Sequence, residues 1–401
     1  MEFTGLEYLK IDIANNYGLD KLTWNERLSW FQSNQDNLES LIEKAENPAC
    51  FTAGLIAYRQ TLLGEPTGYM ISLDATHSGL QILSLLTGDT KAARLCNIIN
   101  NGEKRSDSYT EIFNKFRERV PDIGDITRNK VKKAIMTAFY SSQLQPRELV
   151  GEKNVPAFND TLAEECPYCW TLNSFMLKAW NPDALSYSWD MPDGFHVEFQ
   201  VEKMIEEEFK FNGKIYSFNH IENQPTRQGR CLGANMTHAC DSLVAREMVA
   251  RCMYDPKQIE KVKNLNAKSA KNVNLSYRLP KDQRRKNNTL LRLLNLAEET
   301  NFISMRILDL IDETNYWLVD KDITEFLINS LPDKPFDMIV IHDCFKCHPN
   351  HGNDIRKQYR FVLQQLSDSR LLEHILRSIT KSDLSINKPC NIKVDGEYAL
   401  S

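Results

Sequence analysis

The sequence predicts an α/β (α+β) protein, and three observations lead there. Two short apolar runs, "GYMISLD" and "MIVIHD", have strand-like composition and each ends in an aspartate. Longer stretches carry apolar residues at helical spacing. Asn212-Gly213 divides alternating runs at about residues 185–230, the signature of a β-hairpin.

In chain order, Trp24 to Ala45 reads as one helix, with Leu28, Phe31, Leu38 and Leu41 at helical spacing. The first strand run then reaches Asp74. Ser78 can cap the helix that follows, "SGLQILSLLTGDTKAARLCNII". A further helix starts near Ile126, capped by Asp125 or Thr127, and runs to about Phe139. From about Tyr254 to Arg292 the chain turns basic. Lys257, Lys261, Lys263, Lys268, Lys271, Arg278, Lys281, Arg284, Arg285, Lys286 and Arg292 face only Asp255, Glu260 and Asp282 within that stretch. Two readings stay open, a solvated helical insertion and a surface that follows a phosphate backbone.

Of the 401 residues, 42% are hydrophobic and 26% charged, the balance of a soluble globular protein. The net charge of −5 gives no global basic field, although a groove can still be locally basic. No run of about 18 apolar residues is present, so no membrane partner is expected. The start, "MEFTGLEYLKIDI", lacks the pattern of a signal peptide, so a reducing cytoplasm and ten free thiols are expected. Cys166-Pro-Tyr-Cys169 and Cys344-Phe-Lys-Cys347, with His348 beside it, could together bind zinc. The first pair also resembles a redox dithiol, but the "LAEE" before it is unlike the buried strand such a motif needs. Ordinary scattered thiols are the expectation. No Gly-rich phosphate loop of either common pattern occurs.

Asp74 and Asp343 share a setting, each at the end of an apolar run. On adjacent strands they would converge at one sheet edge, and their mutual repulsion would raise one pKa. A divalent cation relieves that repulsion. Mg²⁺ takes hard oxygen ligands, commonly one or two carboxylates plus substrate phosphates. Two such ions can activate a hydroxyl and stabilise a leaving pyrophosphate. The segment "DITRNKVKKAIMTAFYSSQ" supplies opposite charge. Arg128 and Lys132 lie four apart on one helix face, Met136 and Thr137 a turn later, and Tyr140 beyond. That face offers a guanidinium and an ammonium to a triphosphate, then a ring to a base or ribose.

Three motifs now stand in order: "SLDATHSGLQ" around Asp74, the Arg128–Tyr140 helix, and "IHDCF" around Asp343. They resemble motifs A, B and C of the single-subunit phage and mitochondrial DNA-dependent RNA polymerases. "GLEYLKIDIANNYGLDKLTWNERLSWF" and "NMTHACD" resemble further segments of that family, and the Met-Thr pair favours its RNA polymerase branch. The resemblance implies a right-hand palm and fingers, with an antiparallel palm sheet and mostly helical fingers. Residues 1–120 would be the first part of the palm, 121–235 the fingers with the hairpin, and 236–401 the second part of the palm, carrying a basic helical insertion at about 253–333. It implies Asp74 and Asp343 as catalytic metal ligands, with the Ala75 carbonyl as a further ligand to two Mg²⁺ ions. Arg128 and Lys132 would hold the incoming triphosphate, Tyr140 would sit by the ribose, and His238 would reach the primer end or ribose. Lys44 would be a further phosphate contact. His342, Met136 and Gly79 would support the site. Template DNA, nascent RNA and NTPs are the implied partners, in the cytoplasm of an infected bacterial host.

Departures carry expectations of their own. Ala75 and Ser141 stand where family members usually have Gly, which lowers backbone freedom. The family's N-terminal domain and thumb have no counterpart, so a second polypeptide is expected to supply them, as in the heterodimeric enzyme of enquatrovirus-type podophages, whose large subunit this chain most resembles. The hairpin looks short and carries Glu202, Glu206, Glu207 and Glu208, a poor face for phosphates. An accessory promoter-binding or single-stranded-DNA-binding factor is therefore expected. A DNA polymerase of the same superfamily and a catalytically inactive nucleic-acid-binding subunit are the alternatives.

Overall fold

The computed structural model describes all residues except 103, 123, 228, 230 and 268–280. Helices α1 (Gly5–Ala14), α2 (Trp24–Asn34) and α3 (Pro48–Leu62) lead to strand β1 (Ile71–Asp74). Helices α4 (Ser78–Thr87), α5 (Thr90–Leu95), α6 (Ser108–Arg119), α7 (Arg128–Phe139), α8 (Leu144–Val150), α9 (Val155–Glu165) and α10 (Pro167–Lys178) follow. Two hairpins come next, β2 (Ser186–Asp190) with β3 (His196–Gln200) and β4 (Glu202–Phe211) with β5 (Lys214–Asn223). Then come α11 (Cys231–Cys252), α12 (Pro256–Asn266), α13 (Lys281–Thr300), α14 (Arg306–Leu310), α15 (Lys321–Asn329), β6 (Met338–Ile341), β7 (Cys344–Cys347), α16 (Gly352–Asp368) and α17 (Leu371–Thr380). The mixture of helix and sheet expected from the sequence is present.

Three strands from opposite ends of the chain form one antiparallel sheet in the order β1-β7-β6. Ile71, Leu73, Met338, Phe345 and Cys347 are buried from it, and α1, α11 and α16 pack on its strands. The segment Cys344–Cys347, whose cysteines are expected to be ordinary thiols, is the central strand. His342 and Asp343 form the two-residue turn before it, with Ile341 paired to Cys344. Asp343 is therefore at a hairpin tip rather than a strand end, and β1 pairs with β7, not β6.

Two helices expected to be continuous are broken. The Trp24–Ala45 segment stops at Asn34 and resumes as the 3-10 turn Leu38–Lys44. The helix from Ser78 ends at Gly88, whose φ of 72° is left-handed. A Cβ there would lie 2.6 Å from the Cys390 carbonyl oxygen, so only glycine fits. Its N-cap is His77, at φ 64° and without a capping side chain, rather than Ser78. Asp89 restarts the chain as α5 by accepting from Ala92 N at 3.1 Å. The same carboxylate accepts from Tyr168 N at 2.8 Å and Cys169 N at 3.1 Å, so it caps α10 as well. Of the two caps expected for α7, Asp125 and Thr127, it is Thr127 that accepts from Lys130 N, and the helix starts at Arg128 rather than near Ile126.

The β4–β5 hairpin is not short. Each strand has 10 residues, and Asn212 (φ 49°) and Gly213 (φ 78°) make the turn. Phe209, Phe211, Tyr216 and Phe218 are all exposed along it.

The basic stretch builds α12 and α13, which close a small core of their own with Ile259, Val262, Leu290, Leu293, Ile307, Leu308 and Leu327. Its cations find acids outside the stretch: Lys261 pairs with Glu313 (3.0 Å), Lys286 with Asp312 (2.6 Å) and Arg292 with Asp190 (2.5 Å). Lys268, Lys271 and Arg278 lie outside the described residues. On α11, buried Glu247 accepts from Met305 N at 3.0 Å, and buried Arg251 donates to Gln358 at 2.7 Å and to the Ser330 carbonyl at 3.1 Å. These bonds fix both ends of the α14–α15 region to the main body.

Removing a carboxylate that serves two helices leaves three amides unpaired in the interior. Asp89→Ala is expected to cost about 2–4 kcal/mol, read as a lower urea midpoint; an unchanged midpoint would refute the double-cap role. Acid should act on the insertion. Burial opposes ionisation of Asp312, but hydrogen bonds from Lys286, Thr314 and Gln283 outweigh it and hold its pKa down to about 2. The stability it lends is complete above the unfolded value near 4 and fades as pH falls from about 4 to about 2. Hydrogen exchange over residues 281–318 should therefore accelerate in that window, and Asp312→Asn should show less of this acid dependence.

Candidate active site

The loop after β1 and the β6–β7 turn are tied by a backbone bond, Ala75 N to the Asp343 carbonyl at 3.1 Å. Asp74 is paired with Cys344 across the β1–β7 ladder, so the two expected aspartates come side by side. A further extended segment closes the other side of β1. Ser401 N donates to the Asp74 carbonyl at 3.0 Å and Thr76 N to the Ala399 carbonyl at 3.1 Å. The Asp74 carboxyl is raised above its ordinary range, by desolvation first and by the Asp343 charge next, against a hydrogen bond from the Cys344 thiol. Cys344 is thus in contact with the site. Burial and Asp74 push its own thiol up to about 12, so it is unreactive.

Both aspartates line one cleft of about 740 Å³, together with Ala75, Gly79, Arg128, Lys132, Met136 and Tyr140. Tyr140 is the C-cap of α7. A Cβ on Gly79 would sit 2.6 Å from the Tyr140 hydroxyl, so glycine is needed for the ring to lie there. His238, exposed on α11, faces the same ring with centroids 5.3 Å apart. His342 is on the turn itself, at φ 57°. Lys44 is exposed at the end of its 3-10 turn and is not among the cleft-lining residues, whereas Lys21 is.

Three non-glycine residues in the left-handed region, His77, His342 and Ser141, border the elements of this site. Ser141 (φ 68°) follows Tyr140 at one of the two positions where the sequence lacks an expected glycine. Its buried hydroxyl donates to Asn173 Oδ1 at 2.6 Å, which offsets the conformational cost. Ala75, the other such position, is not in that region.

Several residues in or near the cleft were given no individual role by the sequence, although the segments that carry them were noted. Buried Asp12 accepts from the Tyr69 hydroxyl at 2.6 Å and Ser72 N at 3.0 Å, and burial raises its pKa to about 6. Buried Arg27 donates to Asn15 Oδ1 and to the carbonyls of Leu22 and Asp20, which shapes the Asn15–Asp20 wall around the π-helical turn Asn15–Leu19. Asp241 on α11 is raised by burial and by Asp343, with His238 and His342 acting the other way, so a third carboxyl senses the pair.

The zinc alternative has no geometry behind it. Cys166 and Cys169 are buried at the start of α10, and Cys347 is buried in β7. Among the described residues, the one group of three close metal-capable side chains is Glu207, His220 and Glu222, on the β4–β5 hairpin.

Known proteins similar to this chain are DNA-directed RNA polymerases. Residues 1–180 match the family model described as DNA-dependent RNA polymerase. The chain is similar to the DNA-directed RNA polymerase of Pseudomonas phage phiKMV, 28% identical over 172 residues, 34% of this chain and 21% of that protein. It is similar also to the mitochondrial DNA-directed RNA polymerase of Neurospora crassa, 29% identical over 164 residues, 34% of this chain and 12% of that protein. A probable DNA-directed RNA polymerase of Podospora anserina is 34% identical over 110 residues, 24% of this chain and 12% of that protein. The matched stretch thus spans about a fifth or less of each relative. The family match takes in Asp74 and α7, while Asp343 and His238 lie beyond it.

Among the described residues, no helix is long and apolar enough to cross a membrane.

Proposed function

We propose that this chain carries the nucleotidyl-transfer site of a DNA-dependent RNA polymerase. One observation supports the reading above all: Asp74 and Asp343, from opposite ends of the chain, share a cleft with Arg128, Lys132 and Tyr140 of one helix. The three-stranded sheet would be the palm, and α7 to α10 with the hairpins the fingers.

The donor set fits Mg²⁺. It offers two carboxylates, and among the described residues no hydrogen bond ends on the Ala75 carbonyl. Among the described residues no third side-chain ligand closes the shell, as suits an ion that keeps water and substrate phosphate. Bound there, two ions would lower the pKa of an attacking 3′-hydroxyl and stabilise charge on the α-phosphate and the leaving pyrophosphate. The chain's own residues would do the rest. Asp74 and Asp343 hold the reacting centre at the sheet edge. Arg128 and Lys132 bind the β- and γ-phosphates and align the leaving group with the attack. Tyr140, wedged against Gly79, meets the ribose.

A second polypeptide would work with this chain, an arrangement like the heterodimeric enzyme of enquatrovirus-type podophages acting in the host cytoplasm. The glutamates of the β4–β5 hairpin favour promoter choice through an accessory DNA-binding factor.

The test is extension of RNA on a preformed RNA–DNA scaffold with Mg²⁺, with and without co-expressed neighbouring polypeptides. Asp343→Asn is expected to cut incorporation by at least about a thousandfold while scaffold binding persists; normal synthesis by the variant would sink the reading. Tyr140→Phe is expected to weaken rejection of dNTPs by at least about tenfold, read as the ratio of kcat/KM for rNTP and dNTP. Unchanged strict rNTP preference would remove the ribose role of Tyr140.

A further inference from the structure

Arg128 does not stand free in the cleft. Its Nε donates to Thr110 Oγ1 at 2.6 Å, and its Nη2 is ion-paired with Asp107 Oδ2. Thr110 Oγ1 in turn donates to the same Asp107 oxygen at 2.7 Å, which closes a three-residue ring. Asp107 is itself fixed, because its other oxygen is the N-cap of α6 and accepts from Tyr109 N at 3.2 Å and Thr110 N at 3.3 Å. One edge of the guanidinium is thereby consumed. Among the described residues no bond is made by Nη1, and Arg128 lines the cleft.

Tyr109, the residue before Thr110 on α6, performs the same office for the second cation. Lys132 Nζ lies 5.0 Å over the Tyr109 ring. Tyr109 stacks on His77 with centroids 4.4 Å apart, and His77 Nδ1 is 3.0 Å from Ser108 Oγ. His77 begins the helix that follows the Asp74 loop. The start of α6 therefore touches Arg128, Lys132 and the segment leading from Asp74.

We infer that Asp107, Thr110 and Tyr109 form a positioning bracket for the triphosphate of the incoming nucleotide. The inference rests on the reading of Arg128 and Lys132 as phosphate ligands. A long guanidinium loses rotamer freedom when it binds, and a ligand that meets it already oriented avoids that loss. Holding the Nε–Nη2 edge from behind leaves the Nη1 end for phosphate oxygens, and the ring seat restrains the ammonium beside it. Asp107, Thr110 and Tyr109 act through the cations and are positioning residues.

Asp107→Asn separates this role from capping. The amide oxygen can still cap α6, since Asn caps as well as Asp, but the Oδ2 acceptor and the charge are gone. Binding of inorganic tripolyphosphate to the full chain in Mg²⁺ buffer, measured by titration calorimetry, is the readout, with melting temperature as the folding control. Arg128→Ala is expected to weaken binding by on the order of tenfold, the loss of a charge-assisted contact. Asp107→Asn is expected to weaken it comparably at an unchanged melting temperature, and Thr110→Val by a few-fold. The double variant Asp107→Asn/Arg128→Ala should bind no more weakly than Arg128→Ala alone, because the bracket works only through the arginine. Wild-type affinity in Asp107→Asn, or losses that simply add, would overturn the bracket while leaving the phosphate role of Arg128 intact. No effect of Arg128→Ala, or no binding by the wild type, would overturn that role and the bracket with it.

Discussion

One backbone hydrogen bond organises the candidate site, from Ala75 N to the carbonyl of Asp343. It continues the β1–β7 ladder past the last paired residue and joins the two loops that carry the carboxylates. Because β7 also pairs with β6, the turn holding Asp343 is braced from both sides. A strand slip of one residue would turn Leu73 and Phe345 out of the core. The burial of those side chains is what keeps the two acids in register. Core packing and site geometry are here the same constraint.

That constraint has an electrostatic cost. Asp343 raises the carboxyl of Asp74 and also that of Asp241, each after the larger effect of burial. The cleft answers with cations that are themselves tied down. Arg128 is bound to Asp107 and Thr110, and Lys132 is seated on Tyr109. His77, between these groups, is pushed down to about 3 by its surroundings and by Lys132, so it stays neutral and adds no competing charge. Acids stand on the sheet side and pinned cations on the helix side. An arrangement of this kind costs less to prepare for a polyanion bridging the two than flexible side chains would.

The sequence made much of this legible, and the reasons are local. Apolar runs ending in Asp74 and Asp343 exposed the strands, and Arg128 and Lys132 at a four-residue spacing exposed the cationic face. Asp125 and Thr127 marked the helix start to within two residues, and Asn212-Gly213 the hairpin turn. What escaped depended on contacts distant in sequence. Cys344–Cys347 looks like a metal motif, yet cross-strand pairing with both Ile71–Asp74 and Met338–Ile341 makes it the middle strand. The break at Gly88 is dictated by the Cys390 carbonyl packed against it, and Asp89, inside the helix expected from the sequence, becomes a cap because α10 comes to rest on it. Asp107 drew no reading from the sequence, because its contact with Arg128 joins residues 21 apart.

The match to known polymerases covers residues 1–180, yet the partner of Asp74 lies far downstream. The architecture explains how a site can close across that interval. The α12–α15 insertion has its own buried cluster, so its folding asks little of the sheet. Its ends are held by Glu247 and Arg251 of α11, the helix that also packs on β6. The cost of lengthening a connection grows only logarithmically, and an inserted unit with a core of its own reduces even that. The position of Asp343 is then set by what touches β6 and β7, not by the number or identity of residues that intervene. Sequence similarity can fade through the hairpins and the insertion while the two carboxylates stay together, because the bond that joins them depends on strand register alone.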